Sequence, residues 1–337
     1  MIYPEFLKTG DTIGVTAPSA GSENEIDINR LNFAKKNFEK LGYKIEETKN
    51  CRTNINGRSS NKEERAAQLK QLYLNNKVKA IIGLSGGEFL LEMLSYVDQN
   101  VIKNNIKWIQ GFSDMTGLLF PITTCLDIAT IYGNNFKTFG MNPWHKSLND
   151  NINILTNKIL EEKSYDFYEN IRKEKIIGDE PYNTNTKVNL INLNKEKTVD
   201  ITGRIVGGCV DVIKSIIGTK FDNVKNFIEK YKKDGIVWYF DNCELSSEEI
   251  IRTMWQFKEA GYFEYTNGIL FGRSGIETSY YNISFKEAIK QSLLELNVPI
   301  ILETDISHKP PLATIINGSI ARVHSEGGKG SIEFLLK

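Results

Sequence analysis

Apolar and polar positions switch between two periods along the first 130 residues. Thr12–Ala17 is a run of β-branched and small residues that stops at the turn Pro18-Ser19-Ala20-Gly21. Asn29–Leu41 then places Leu31, Phe33, Ala34, Phe38 and Leu41 at helical spacing and halts at Gly42. Tyr43–Glu47 reads as a short strand. Lys62–Asn75 reads as a second helix, with Ala66, Leu69, Leu72 and Tyr73 on one face. Val78–Leu84 is apolar enough for a buried strand and runs into Ser85-Gly86-Gly87, after which Phe89–Val97 reads as a helix. Ile106–Ile109 is a further short strand, and Leu118–Ile128 begins another helix. Strands alternating with amphipathic helices predict a parallel sheet of βαβ units. Ligands of such sheets bind beyond the carboxyl ends of the strands. The loops at Pro18–Gly21, Ser85–Gly87 and Phe112–Asp114 are therefore expected at one edge.

Residues 145 to 200 break this rhythm. They are rich in Asn, Lys and Glu, have few long apolar runs, and read as a connecting region with short hairpins. Beyond them, strands are predicted at Thr198–Val206, Ile236–Phe240, Gly268–Phe271 and Pro299–Glu303. Helices are predicted at Val210–Ile217, Val224–Lys233, Glu248–Ala260 and Ser284–Leu296. The expected organisation is an N-terminal domain over 1–145, a linker over 146–200 and a C-terminal domain over 201–337. Both domains are α/β, and the first is a Rossmann-like βαβ sheet. The expected active site lies between them.

A chain of 337 residues suits one large domain or two of medium size. Lys+Arg and Asp+Glu are both 42, so the net charge is zero. That argues against a nucleic-acid binder or a membrane-surface protein, which need a basic excess. No apolar run reaches the 18 residues of a membrane span, and the first residues carry no apolar signal segment. The four cysteines Cys51, Cys125, Cys209 and Cys243 form no CxxC pair and suit a reducing compartment. The expectation is a cytoplasmic protein.

The candidate chemistry begins at Ser113, in Gly111-Phe112-Ser113-Asp114. A serine at a strand-to-helix turn has its hydroxyl pushed out of the sheet, beside the first free N–H groups of the helix. Serine also favours the N-cap with no chemistry at all, so its partners decide. A base and an orienting acid are required. Three histidines exist: His145 in the linker, His324 in a terminal strand-like segment, and His308. His308 follows a strand and precedes Lys309-Pro310-Pro311, which makes it the best held. The acid is Glu244 or Asp241, both just beyond the apolar strand Ile236–Phe240. Gly86 and Gly87 expose backbone N–H groups that, with the N–H of Asp114, form a candidate oxyanion site. Neither a dinucleotide nor a P-loop fingerprint is present, and no residues have metal-ligand spacing. No cofactor is expected.

Seven segments together resemble the LD-carboxypeptidase family of serine peptidases, which also contains the microcin C immunity peptidases. They are Gly10–Gly21, Ala80–Glu88, Gly111–Leu119, Gly203–Thr219, Trp238–Glu244, Asn267–Arg273 and Pro299–Val323. The segment Gly207-Gly208-Cys209 to Gly218-Thr219 is closer to the microcin-immunity-like branch. The resemblance implies a nucleophile at Ser113, an acid at Glu244, a base at His308 and oxyanion donors near Gly86 and Asp114. It also implies a cytosolic homodimer without a metal. The implied reaction is cleavage of an L,D peptide bond in murein-derived peptides. The alternative within the family is cleavage of an aminoacyl- or peptidyl-nucleotide antibiotic, and the alternative of another class is a non-catalytic small-molecule binder. Four positions depart from the family pattern. Glu88 stands where an aromatic or Asn is usual, and Asp241 where Glu is usual. Ile306-Ser307 replaces Phe-Gly, and Ile315-Ile316-Asn317-Gly318 replaces Leu-Pro-Ile-Gly. These departures bear on the substrate pocket.

Overall fold

The computed structural model describes residues 1–194 and 196–337. They form two compact units, Met1–Ile159 with Lys173–Tyr182, and Leu160–Arg172 with Asn183–Lys337.

The first unit contains β1 (Thr12–Thr16), α1 (Glu25–Lys40), β2 (Lys44–Glu47), α2 (Lys62–Leu74) and β3 (Val78–Gly83). These are followed by α3 (Gln99–Asn104), β4 (Trp108–Gly111), α4 (Thr116–Leu126), β5 (Thr130–Tyr132) and α5 (Lys146–Leu155). The helices start where side chains can satisfy their first N–H groups: Asn24 caps α1 through Asp27 N–H, and Asn61 caps α2 through Glu64 N–H. Five strands of this unit run parallel in the order β5-β4-β3-β1-β2. The chain leaves β1 toward β2 on one side and returns to β3 on the other. The strand order thus reverses between β1 and β3, where α/β sheets open a crevice at their carboxyl ends. The loops 17–21 and 84–88 emerge there. The segment expected as a helix at Phe89–Val97 is a 3-10 turn over Leu90–Tyr96.

The second unit contains β6 (Glu161–Lys163), β7 (Phe167–Tyr168), β8 (Thr186–Lys187), β9 (Ile191–Asn192), β10 (Thr198–Cys209), α6 (Val210–Ile213) and α7 (Val224–Tyr231). Then come β11 (Ile236–Asp241), α8 (Ser247–Glu259), β12 (Thr266–Gly272), α9 (Phe285–Leu293) and β13 (Ile300–Thr304). The last strands are β14 (Ile315–Asn317), β15 (Ile320–Glu326) and β16 (Lys329–Leu335). Its main sheet has the order β6-β16-β15-β10-β11-β12-β13-β9. The central β10 to β13 are parallel and the flanking strands antiparallel. Strand β11 is buried along its whole length, as a strand covered on both faces must be. Trp238 and Phe240 pack with Phe257, Tyr262, Phe263 and Phe271, with Trp238 stacked on Tyr262 at 5.8 Å. Such ring pairs each add about 0.5–1.5 kcal/mol beyond area burial. A capping box between Ser246 and Glu249 starts α8, as the Ser-Ser-Glu-Glu sequence suggests.

The segment 146–200 is not a separate linker. Its first ten residues are α5 of the first unit, and the remainder is shared between the two units. Within α5, Leu148, Ile152 and Leu155 are buried at helical spacing. Three asparagines and an aspartate around them gave the sequence the composition of a loop.

Candidate active site

Ser113 leads the turn from β4 into α4 and holds φ at 63°, in the left-handed region that a serine avoids. Strain of this kind costs about 1–3 kcal/mol and persists only where surroundings enforce it. The surroundings here are specific. Asn135 brackets Phe112, accepting its N–H at 3.1 Å and donating to its carbonyl at 3.4 Å. Ser113 N–H points to Tyr132 Oη at 3.4 Å. Met115 fills the space beneath; a Cβ on Gly111 would lie 2.5 Å from its Cγ, and one on Gly83 2.6 Å from its sulfur.

Gly86 lies against the serine. A Cβ there would sit 2.9 Å from Ser113 Cβ and 3.0 Å from its Oγ. Only a glycine lets the Ser85–Gly87 backbone approach this closely. Gly87 has φ 150°, and a Cβ would meet Ser19 Oγ at 2.4 Å. Asp114 is 3 % exposed; its carboxylate accepts from Ser19 Oγ at 2.5 Å and from Leu90 N–H at 2.9 Å.

In the second unit, Asp241 is the last residue of β11 and is fully buried. One carboxylate oxygen accepts the backbone N–H of His308 at 3.1 Å, and the other lies 2.9 Å from its Nδ1. Both the ring and the main chain of His308 are thus set by one carboxylate. Burial alone would push the imidazole below its ordinary pKa; the Asp241 charge outweighs that and holds it above.

Glu244 is not at the imidazole. It is exposed, and its backbone N–H donates to Asp211 Oδ1 at 2.9 Å, beside Cys243 N–H on Oδ2 at 3.0 Å. The assignment of Glu244 as the residue beside His308 is therefore corrected to Asp241. The physical reason is that β11 continues one residue beyond the apolar run. Its last side chain, not one on the following turn, reaches the histidine.

The loop carrying His308 hangs on Arg273, 2 % exposed. Its guanidinium donates to the carbonyls of Glu303 and Lys309, each at 3.2 Å, and pairs with Asp305 at 2.8 Å. It also lies over the Tyr168 ring at 4.4 Å. Ser307 Oγ donates back to the Arg273 carbonyl at 2.7 Å. Glu303 takes φ 62° as the chain leaves β13. Arg273 closes the segment Asn267–Arg273 as an arginine next to a glycine at a strand end, and that placement is its only signal in the sequence. The other histidines have local roles. His145 caps α5, its Nδ1 accepting Ser147 N–H at 3.1 Å, and burial lowers its pKa. His324 is exposed, beside Asp200 at 2.8 Å.

Among the described residues, no group of three or more His, Cys, Asp and Glu side chains is arranged to hold a metal ion. No helix among them is long and apolar enough to cross a membrane.

The LD-carboxypeptidase N-terminal domain matches residues 13–133, and the LD-carboxypeptidase C-terminal domain matches residues 202–323. A putative carboxypeptidase of Treponema pallidum is 26% identical over 94% of this chain and 91% of its own. A probable murein peptide carboxypeptidase of Bacillus subtilis is 22% identical over 98% and 94%. The microcin C7 self-immunity protein MccF of Escherichia coli is 25% identical over 92% and 89%. Among solved structures, an MccF-like protein from Bacillus anthracis superposes with a TM-score of 0.84 at 22% identity, covering all of both chains. MccF in complex with aspartyl sulfamoyl adenosine gives 0.81 at 22% identity, again over both whole chains. With both family domains matched in order over most of its length, the chain belongs to the LD-carboxypeptidase family and is a serine peptidase.

Proposed function

We propose that the chain hydrolyses an amide bond with Ser113 as nucleophile, His308 as general base and then general acid, and Asp241 as the acid that orients it. The His308–Asp241 pair carries this reading, because it fixes one tautomer and one orientation of a buried imidazole. Asp241 also stands where the family usually has Glu, so it supplies the same charge with one methylene fewer. Ser113 Oγ attacks the carbonyl while His308 takes its proton. The N–H groups of Gly86 and Asp114 hold the oxyanion, with Gly87 giving its neighbour the room to do so. His308 returns the proton to the leaving amine, and water then releases the acyl group by the same steps in reverse.

We propose as substrate a murein-derived peptide, cut at the bond between an L-centre and a C-terminal D-residue. The name of the Bacillus subtilis relative supports this. Similarity to MccF over almost the whole chain favours a second substrate, an aminoacyl or peptidyl nucleotide. Turnover of a murein tetrapeptide and of an aspartyl sulfamoyl adenosine, assayed side by side, decides between them. Labelling by a fluorophosphonate, present in the wild type and lost in Ser113→Ala, is expected of a serine hydrolase. Wild-type protein that turns over neither substrate and takes no label is a binding protein.

A further inference from the structure

The reaction above uses the peptide N–H of Asp114 and gives its carboxylate no part. That carboxylate is nevertheless buried, and burying a charge is costly unless its lone pairs are filled. Two donors meet it: Ser19 Oγ at 2.5 Å and Leu90 N–H at 2.9 Å. Burial pushes the carboxyl pKa up, and these donors pull it back. They come from two different loops. Ser19 follows β1, Leu90 follows β3, and Asp114 follows β4. Because β3 lies between β1 and β4 in the sheet, one side chain joins the ends of three neighbouring strands.

The two partner loops are also tied to each other. Ala20 N–H reaches the Gly86 carbonyl at 3.3 Å, and Ser85 Oγ reaches the Ala20 carbonyl at 2.8 Å. The fully buried Arg65 donates to the carbonyls of Pro18 and Phe89, each at 2.9 Å. The Asp114 carboxylate ties the nucleophile turn to both loops at once. Gly86, which stands 3.0 Å from Ser113 Oγ by its would-be Cβ, is held inside this frame.

We infer that the Asp114 carboxylate is a positioning residue that sets the Gly86-Gly87 backbone against Ser113, with Ser19 as its partner on the β1 loop. The inference rests on the proposed hydrolysis by Ser113. Removing the clamp leaves the substrate pocket and the nucleophile in place but loosens the oxyanion donors, an interaction used mainly in the transition state.

Asp114→Ala and Ser19→Ala, singly and together, test it by kinetics and by amide hydrogen exchange. Asp114→Ala is expected to lower kcat on the order of 10²-fold, with KM within about threefold. Affinity for a peptidyl boronate, which mimics the tetrahedral state, should fall in step with kcat. Ser19→Ala should lower kcat about tenfold, and the double variant should be no worse than Asp114→Ala, because both break one link. The Leu90 amide and the 85–88 stretch should exchange faster in Asp114→Ala, while β1 keeps its protection. Asp114→Asn, which keeps an oxygen acceptor, should recover part of the loss. Unchanged protection at Leu90, or additive losses from the two single variants, overturns the inference. If Asp114→Ala does not fold, Ser19→Ala carries the same readouts. Full activity in Ser113→Ala would instead overturn the hydrolysis by Ser113, and exchange at Leu90 would still report whether the clamp exists.

Discussion

Asp241 and Glu244 lie three residues apart, and only the one that ends the strand reaches the imidazole. Glu244→Gln is expected to leave kcat/KM within about twofold of wild type, as an exposed charge on a turn should. Asp241→Asn should lower it on the order of 10³–10⁴-fold, because an amide can hold the wrong tautomer and cannot stabilise the imidazolium. Equal losses in both variants would return the acid to Glu244. The pH profile separates them further. His308 must be neutral to act as base, so kcat/KM falls on the acid side through the pKa of that imidazole in the free enzyme. Asp241 raises that pKa above the ordinary value of about 6.5. In Asp241→Asn the charge is gone and burial remains, so the acid limb should move to lower pH as the maximum drops. That Ser113 and His308 lie just beyond short strands was legible in the sequence. The two acids could not be separated there, because an apolar run marks where a strand is but not its last residue, and strand ends are set by tertiary pairing. Here the pairing of Cys209 with Asp241 carries β11 one residue further.

At the scale of elements, the parallel strands were legible because each is an apolar run between turn residues. The 3-10 turn at Leu90–Tyr96 was not, because its apolar residues also fit an α-helix. Its entry is set from outside, by Asp114 on the Leu90 N–H and Arg65 on the Phe89 carbonyl. Two loops carry expected outcomes. In Gly86→Ala the new methyl meets Ser113 Oγ at 3.0 Å and Cβ at 2.9 Å. Serine and loop must separate, so kcat/KM should fall on the order of 10²-fold while the melting temperature changes little. A variant with wild-type turnover would remove Gly86 from the site. Arg273→Met leaves the buried Asp305 carboxylate without its cation and releases the Glu303 and Lys309 carbonyls. Denaturant unfolding should show a loss of about 3–5 kcal/mol, the usual cost of breaking a buried pair on one side. Because that arginine holds the loop of His308, kcat should fall as well in the fraction that folds. A loss below about 1 kcal/mol would mean that the pair is no more than a surface contact in effect.

The whole molecule balances 42 basic against 42 acidic residues, so no large net repulsion governs its response to pH. Individual buried pairs matter more, and the roles proposed for the His308–Asp241 pair predict that stability and activity respond to pH in opposite senses. The folded-state pKa of His308 is raised above its unfolded value, chiefly by the Asp241 charge acting against burial. Folding therefore takes up a proton over the interval between the two values. The stabilisation is complete below the unfolded pKa of about 6.5 and is lost as the pH rises through the folded one. With His308 as the proposed base, activity needs the neutral imidazole and should gain over the same interval. Thermal melts from pH 6 upward should show the wild type losing melting temperature relative to His308→Gln, which has no such proton to lose. The rate of the wild type should climb across the same range. Asp241→Asn, which removes the main charge opposing burial, should flatten the loss of melting temperature. Parallel melting curves for wild type and His308→Gln would show that the imidazole titrates alike in the folded and unfolded chain, and that Asp241 does not hold it charged.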